Sequence, residues 1–344
     1  MKKNIRCAVL GVGRLGSWHA ENLATKIQGA ELVCIVDPNE NLAKTVAHNL
    51  GVEKWTTNFN EVFEEPSIDA VIIATPTSTH GEMIKKAIAA GKHIFVEKPI
   101  TQELSEANEI IQLIQDSAVF CQVGFMRRYD PAYAEAKKRI VAGDIGKPIY
   151  FKAVSRDPIA PSPEYVKNSG GMFLDMSIHD YDIARFLMDS EVNSVVANGS
   201  VLVNPFMKDY NDVDQSISYL TFESGAAGDI EGSRNAHYGY DIRGEVIGTE
   251  GTIVIGSLKD HDIKILTKKG STHDIVPDFP TRFKDAYVLE MIDFIDSLRN
   301  NSKPKVTEVD GKAALEIALK ARESFETGQI VYLQRNEKQS ALLS

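Results

Sequence analysis

Three stretches of this 344-residue chain have the residue types and spacings that chemistry uses. In "GGMFLDMSIHDYDIARFL", Asp175 and His179 stand four positions apart, which on one helix places them on one face. Imidazole is a natural general base near neutral pH, so a histidine beside a carboxylate suits removal of a hydroxyl proton as an alcohol is oxidised by hydride transfer. Without that role the pair is an acid and a histidine on a helix surface. In "FVEKPI", Glu97 and Lys98 end an apolar run and Pro99 stiffens the turn that follows. A lysine there can donate to a substrate hydroxyl, whereas one on an ordinary surface is only solvated. The third stretch, "GVGRLGSWHAENL", sets Gly11, Gly13 and Gly16 directly after the strand-like "IRCAVL" and at the opening of an amphipathic segment.

That context separates a dinucleotide turn from a plain tight loop. Gly11 permits the turn, Gly13 lets the backbone approach a pyrophosphate, and Gly16 lets helix and strand pack closely, while the helix N-terminus offers N–H groups to phosphates. The second strand then ends at Asp37, where a carboxylate accepts from both ribose hydroxyls and repels a 2′-phosphate. No arginine stands beside it, so NAD is expected over NADP. No metal site is expected: His179, Asp180 and Asp182 have neither a cysteine nor a second close histidine with them, and hydride transfer from a polyol needs no metal. Arg127 and Arg128 in "GFMRRYDP", Asp157, and Tyr238 and Tyr240 in "HYGYD" can read the hydroxyls of a sugar-like ligand or serve as ion pairs and packing aromatics.

These groups need a scaffold, and the chain supplies two textures. Up to Gly124, "IRCAVLG", "ELVCIVD", "DAVIIATP", "KHIFVEKP" and "AVFCQVGF" alternate with stretches of helical length. That is the pattern of repeated βα units and a parallel sheet, an α/β fold with a Rossmann-type doubly wound domain over 1–124. In "THGEMIKKAIAAGK" the apolar residues recur at helical spacing and Gly91 suits a C-terminal cap. Over 125–334 strand candidates follow one another from Val192 to "DIKILTKKG" without crossover helices, predicting a substrate domain of α+β type with a large, mainly antiparallel open sheet. Two late helices follow, "DAYVLEMIDFIDSLRN" and one near 309–326; pattern alone leaves open whether the latter packs back on the first domain.

Composition narrows the partners. Hydrophobic residues at 43% and charged residues at 25% describe an ordinary globular chain, and no apolar run reaches bilayer length. A net charge of -10 disfavours a general nucleic-acid surface, leaving small polar substrates. Cys7, Cys34 and Cys121 sit in apolar runs without metal-ligand spacing, so buried free thiols and a reducing, cytoplasmic setting are expected. "MKKNIRCAVLGVG" reads as a first strand rather than a leader, and the tail "LQRNEKQSALLS" as frayed.

The combination resembles the glucose–fructose oxidoreductase and inositol dehydrogenase family (Gfo/Idh/MocA), and within it the inositol dehydrogenases. "IIATPTSTH", "FVEKPIT", "VGFMRRYDPAY", the Asp175–His179 stretch, "NAHYGYDIRGEVIGTEGT" and "DGKAALEIALKARES" carry the resemblance with the glycine turn, across nearly the whole chain. It implies that Lys98, Asp175 and His179 form the catalytic group: His179 takes the proton, Asp175 positions the polyol and Lys98 binds the reacting hydroxyl. It implies cofactor contacts from Gly11, Gly13, Arg14, Leu15, Gly16, Asp37, Thr75, Pro76, His80 and Glu97, and ring-hydroxyl contacts from Arg127, Asp157 and Tyr238 or Tyr240. The reaction implied is NAD-dependent oxidation of myo-inositol to 2-keto-myo-inositol (scyllo-inosose) in inositol catabolism, by a cytoplasmic homotetramer. Scyllo- or chiro-inositol, or a hexopyranose such as glucose, are alternative substrates, with the loop over 157–169 a candidate for choosing among them. A non-catalytic NAD and sugar sensor is the alternative outside enzymology, disfavoured because the three reactive residues are present.

Overall fold

The structure is a computed structural model that describes residues 3–333; the tail beyond Leu333 lies outside the described residues. Two compact units form. The first takes in residues 3–131 together with Phe283–Leu315, and the second takes in Ala132–Arg282 and residues 316–333.

The first unit is built on six parallel strands, β1 (Ile5–Leu10), β2 (Ala30–Val36), β3 (Lys54–Thr56), β4 (Ala70–Ile73), β5 (His93–Glu97) and β6 (Cys121–Gly124), in the order β3-β2-β1-β4-β5-β6. Helices α1 (Arg14–Thr25), α2 (Glu40–Leu50), α3 (Asn60–Glu64), α4 (His80–Ala89) and α5 (Leu104–Gln115) lie between successive strands in the chain. Strand β4 is buried along its whole length, which explains why it reads "AVII" without alternation. Gly91 takes φ +67 just past α4 and donates its N–H to the Ile88 carbonyl, the capping role anticipated for it. The strand order reverses between β1 and β4, and in open α/β sheets ligands bind at the carboxyl ends beside such a reversal.

In the second unit come α6 (Pro131–Ala142), β7 (Pro148–Arg156), α7 (Pro163–Ser169), α8 (Gly171–Asp175) and α9 (Ile178–Met188). The strands β8 (Val192–Ser200), β9 (Gln215–Phe222), β10 (Ala227–Ser233), β11 (Asp241–Gly248), β12 (Thr252–Ile255), β13 (Ile265–Thr267), β14 (Gly270–Thr272) and β15 (Val331–Tyr332) complete it. Seven of them form one sheet, β12-β11-β7-β10-β9-β8-β15, antiparallel at every pairing except β7 with β10. The "DIKILTKKG" strand anticipated for this sheet instead pairs with β14 in a separate hairpin. Both strands of that hairpin are exposed, so no buried face holds them against the larger sheet. One face of the sheet is buried under α9, through Ser155 Oγ to Asp180 at 2.7 Å and Tyr181 to Ser218 at 2.8 Å. Its other face exposes Val196, Ile217, Tyr219 and Val254.

The late helices α10 (Phe279–Asn300) and α11 (Glu308–Thr327) explain why the first unit is discontinuous. Helix α10 kinks at Phe283, and from there Met291, Phe294, Ile295 and Leu298 join the core formed by Ile35, Phe95, Ile72 and Leu23. The Phe294 ring meets Phe95 edge-on at 5.9 Å. At the start of α11, Gly311 packs so closely that a Cβ would meet Val123 at 2.9 Å. The contiguous division at 124/125 therefore differs from the compact units, because the amphipathic face of α10 covers the parallel sheet. Phe294→Ala should cost about 3–5 kcal/mol of stability; urea unfolding that shows a loss below about 1 kcal/mol would mean α10 is not part of this core.

Candidate active site

The glycine turn has the geometry a bound pyrophosphate needs. Gly11 holds φ +83 at the point where a Cβ would strike the Ala74 carbonyl oxygen at 2.8 Å, so the turn after β1 and the turn after β4 touch backbone to backbone. At Gly16 a Cβ would collide with the Gly11 carbonyl. A Cβ on Gly13 would meet nothing within 4 Å, so the backbone there is open to a ligand. No side chain caps the start of α1, and a helix N-terminus that follows such a turn suits an anion. Asp37 accepts the backbone N–H of Val12 and of Asn39, each at 2.9 Å. Its carboxylate is thereby fixed with lone pairs to spare for vicinal hydroxyls. These residues fit NAD.

The turns after β4 and β5 are held together by one histidine. His80 is buried, with Nδ1 2.9 Å from the Pro99 carbonyl and Nε2 2.9 Å from the Thr75 carbonyl. Burial lowers its pKa, against the two carbonyls, which as acceptors favour the protonated ring. The ring therefore spends its polar atoms on bracing the two turns. Thr79 adds a bond from its hydroxyl to that of Thr75 at 2.7 Å. Pro76 is exposed and Lys98 half-buried between these turns. Glu97 faces inward, with His19 Nε2 2.7 Å from its carboxylate. Arg127, in the short 3-10 turn after β6, is buried with its guanidinium 5.7 Å from the Phe283 ring centroid.

In the second unit Asp175 and His179 do not share one regular helix, contrary to their four-residue spacing. Helix α8 ends at Asp175 and α9 begins at Ile178, and the N–H of Ser177 reaches back five residues to Met172 while that of Asp180 reaches back three to Ser177. The turn is first loosened and then tightened, so periodicity does not set how the two side chains point. Asp175 is instead oriented by Tyr165, whose hydroxyl donates to Oδ1 at 2.9 Å, and by Arg234, whose Nη2 donates to Oδ2 at 3.2 Å. Burial of Arg234 alone would lower its pKa, but the carboxylates of Asp175, Asp157 and Asp212 more than offset this and raise it. Asp212 anchors the start of α8 by accepting the Met172 N–H at 2.7 Å, where Gly171 at φ +80 leaves room for it. Arg234 is buried and His179 is 9% exposed, the residual access a base needs. The Tyr238 hydroxyl donates to Asp241 at 2.7 Å and accepts from Arg156 at 2.9 Å, whereas Tyr240 is buried near Phe279.

Sequence reasoning missed Arg234, Tyr165, His19 and Glu290. A lone arginine in the small-residue strand "GDIEGSRNA" and a glutamate on the apolar stripe of "AYVLEMIDF" were the available signals. Among the described residues, His19, Glu97 and Glu290 are the group of metal-ligand types whose donor atoms converge, all within 4.8 Å of one another.

Residues 5–125 match the GFO_IDH_MocA model, described as an oxidoreductase family with an NAD-binding Rossmann fold, and residues 137–333 match that family's C-terminal alpha/beta domain. The chain belongs to the Gfo/Idh/MocA oxidoreductase family. It is 55% identical over 333 residues, 97% of each chain, to the scyllo-inositol 2-dehydrogenase (NAD(+)) of Bacillus subtilis. It is 38% identical to the myo-inositol 2-dehydrogenase of Thermotoga maritima, over 96% of this chain and 99% of that one. The crystal structure of Lactobacillus casei scyllo-inositol dehydrogenase with bound NAD(H) and scyllo-inositol superposes with a TM-score of 0.91 at 34% identity, covering 96% of this chain and 99% of that one. Like other members of the Gfo/Idh/MocA family, the protein is an NAD-dependent oxidoreductase. Among the described residues no helix is long and apolar enough to cross a membrane. Asp37→Ala should weaken NAD binding about tenfold to a hundredfold while leaving NADP binding less changed; fluorescence titrations with an unchanged NAD/NADP ratio would show that Asp37 does not face the ribose.

Proposed function

We propose that this oxidoreductase is an inositol dehydrogenase that converts one ring CH–OH to the ketone, with scyllo-inositol as preferred substrate. The observation that carries the reading is the 55% identity, end to end, with a scyllo-inositol 2-dehydrogenase. Myo-inositol, the substrate anticipated from the sequence, is the second reading, favoured by the name of the 38% identical Thermotoga relative. The two isomers differ only in the orientation of one hydroxyl. Oxidation at that carbon abolishes the difference, so both give scyllo-inosose.

His179 removes the hydroxyl proton as the C–H bond breaks, Lys98 donates to the same oxygen, and Asp175 accepts from a neighbouring hydroxyl. Tyr165 and Arg234 support the last role, since each donates to one Asp175 oxygen and so fixes the carboxylate as an acceptor. NAD, when bound, supplies the hydride acceptor. Arg127, Asp157 and Tyr240 contact the remaining ring hydroxyls; Tyr240 is preferred to Tyr238, whose hydroxyl is tied to Asp241 and Arg156. Thr75 and Pro76 complete the nicotinamide side, with Glu97 and His80 acting through the turns they hold. We place the enzyme in the cytoplasm, consistent with three buried free thiols, and in the catabolic direction that an NAD-linked oxidation favours. A homotetramer is proposed through the outer sheet face that exposes Val196, Ile217, Tyr219 and Val254.

Purified protein should reduce NAD with scyllo-inositol at a higher kcat/KM than with myo-inositol, chiro-inositol, glucose or xylose. Binding of NAD with silence across that panel would support the sensor alternative. The rate should rise with pH as His179 loses its proton and then level off, because only the neutral ring accepts a proton. His179→Ala should lower kcat by about 10²- to 10⁴-fold with NAD affinity preserved; near-normal turnover would remove His179 from the base role.

A further inference from the structure

Behind the turn that carries Lys98 lies a buried group that the proposed reaction does not use. Glu97 ends β5, its carboxylate 2.7 Å from His19 Nε2. Gly124 on the neighbouring strand leaves it just enough room, since a Cβ there would stand 3.1 Å from Oε2. Glu290, on α10, is fully buried, lies with His19 and Glu97 in the 4.8 Å triangle, and has no hydrogen-bond partner on either carboxyl oxygen. Tyr287, one turn earlier, packs edge-on against His19 at 5.9 Å, and Gln122 from β6 donates to the Glu290 backbone carbonyl at 2.8 Å.

Two ionised carboxylates this close and this dry repel each other and lose their hydration, so one of them must be neutral. Glu97 has the histidine N–H that stabilises a charge. Glu290 has none. The charge that acts on Glu290 is that of Glu97 on β5, with His19 on α1 and Tyr129 the other titratable groups beside it. Burial and the charge of Glu97 both hold its carboxyl well above the usual carboxylate range.

We propose that Glu290 is a positioning residue for Lys98: it stays protonated and, by rotating its terminal carboxyl, donates to Glu97, so that His19 and Glu290 together fix the residue that immediately precedes Lys98. The proposal rests on the role assigned to Lys98 above. The backbone of the same turn is held one residue further on, where the Pro99 carbonyl meets His80. Glu97 is thus gripped by its side chain and Pro99 by its carbonyl, with Lys98 between them.

The test compares wild type with Glu290→Gln, which mimics the protonated acid, and Glu290→Leu, which cannot donate. Thermal midpoints are measured from about pH 5 to pH 8. A proton kept by the folded chain and lost by the unfolded one makes wild-type stability fall as pH rises above the ordinary carboxylate range. The midpoint of Glu290→Gln should therefore gain on wild type with each pH unit; a flat or opposite trend would mean that Glu290 is ionised, and would overturn the proposal. Glu290→Leu should lower kcat with inositol by about tenfold to a hundredfold while NAD affinity holds, and Glu290→Gln should restore it. Wild-type kcat in the leucine variant, or NAD affinity falling in step with kcat, would refute positioning. One divalent ion per wild-type chain that is lost in Glu290→Gln would also overturn it, in favour of a metal site. Lys98→Ala, assayed alongside, separates the premises: if it keeps full turnover, the role of Lys98 is what fails.

Discussion

The buried carboxylate of Glu97 is the constraint on which the first unit's working end depends. A charge out of water must be paired, and its partner, His19, lies in the second turn of the helix whose first turn forms the glycine-rich phosphate cradle. One short helix therefore meets three demands. Gly13 stays open to ligand, Gly16 presses against the Gly11 carbonyl, and His19 reaches across to the end of β5. Because β1, β4 and β5 are adjacent, the cofactor turn, the Thr75 turn and the Lys98 turn are held at one edge of one sheet. The glycine turn and the turn that carries Lys98 are set by the same packing.

The second unit solves the opposite electrostatic problem. There a buried cation, Arg234, is surrounded by Asp175, Asp157 and Asp212, and the carboxylates keep it charged despite its burial. The arginine in turn fixes one oxygen of Asp175 while Tyr165 fixes the other. Tyr165 lies on α7, within the stretch over 157–169 singled out by sequence as a candidate for choosing among isomers. Its hydroxyl bond to Asp175 links that stretch to a residue proposed to read a ring hydroxyl. A change in this stretch therefore reaches the Asp175 carboxylate through that bond.

What was legible in the sequence was whatever depends on local pattern. Unbroken apolar runs such as "AVII" mark strands buried on both faces, and strand, glycine turn, helix and Asp37 in succession mark the cofactor site, since each is satisfied within some thirty residues. Long-range choices were less visible. The amphipathic stripe of α10 announces a helix that packs, but any apolar surface would satisfy it, so its docking on the parallel sheet needed the structure. Glu290 interrupts that stripe between Tyr287 and Phe294 and yet is fully buried, which the pattern alone does not reveal. The spacing of Asp175 and His179 misled because Met176 and Ser177 shift the hydrogen-bond register between two short helices. Their common role rests on chemistry and resemblance rather than on one helix face.

Family membership and the cofactor cradle together make a specific claim about bonds: one C–H of an inositol ring breaks and its hydrogen arrives on the nicotinamide. The most direct measurement supplies scyllo-inositol deuterated at its ring carbons, with NAD, and examines the reduced cofactor by proton NMR. The account predicts one deuterium at C4 of each NADH formed, on a single face of the ring. NADH that carries no deuterium, or no NADH from any inositol by a chain that binds NAD, would contradict it.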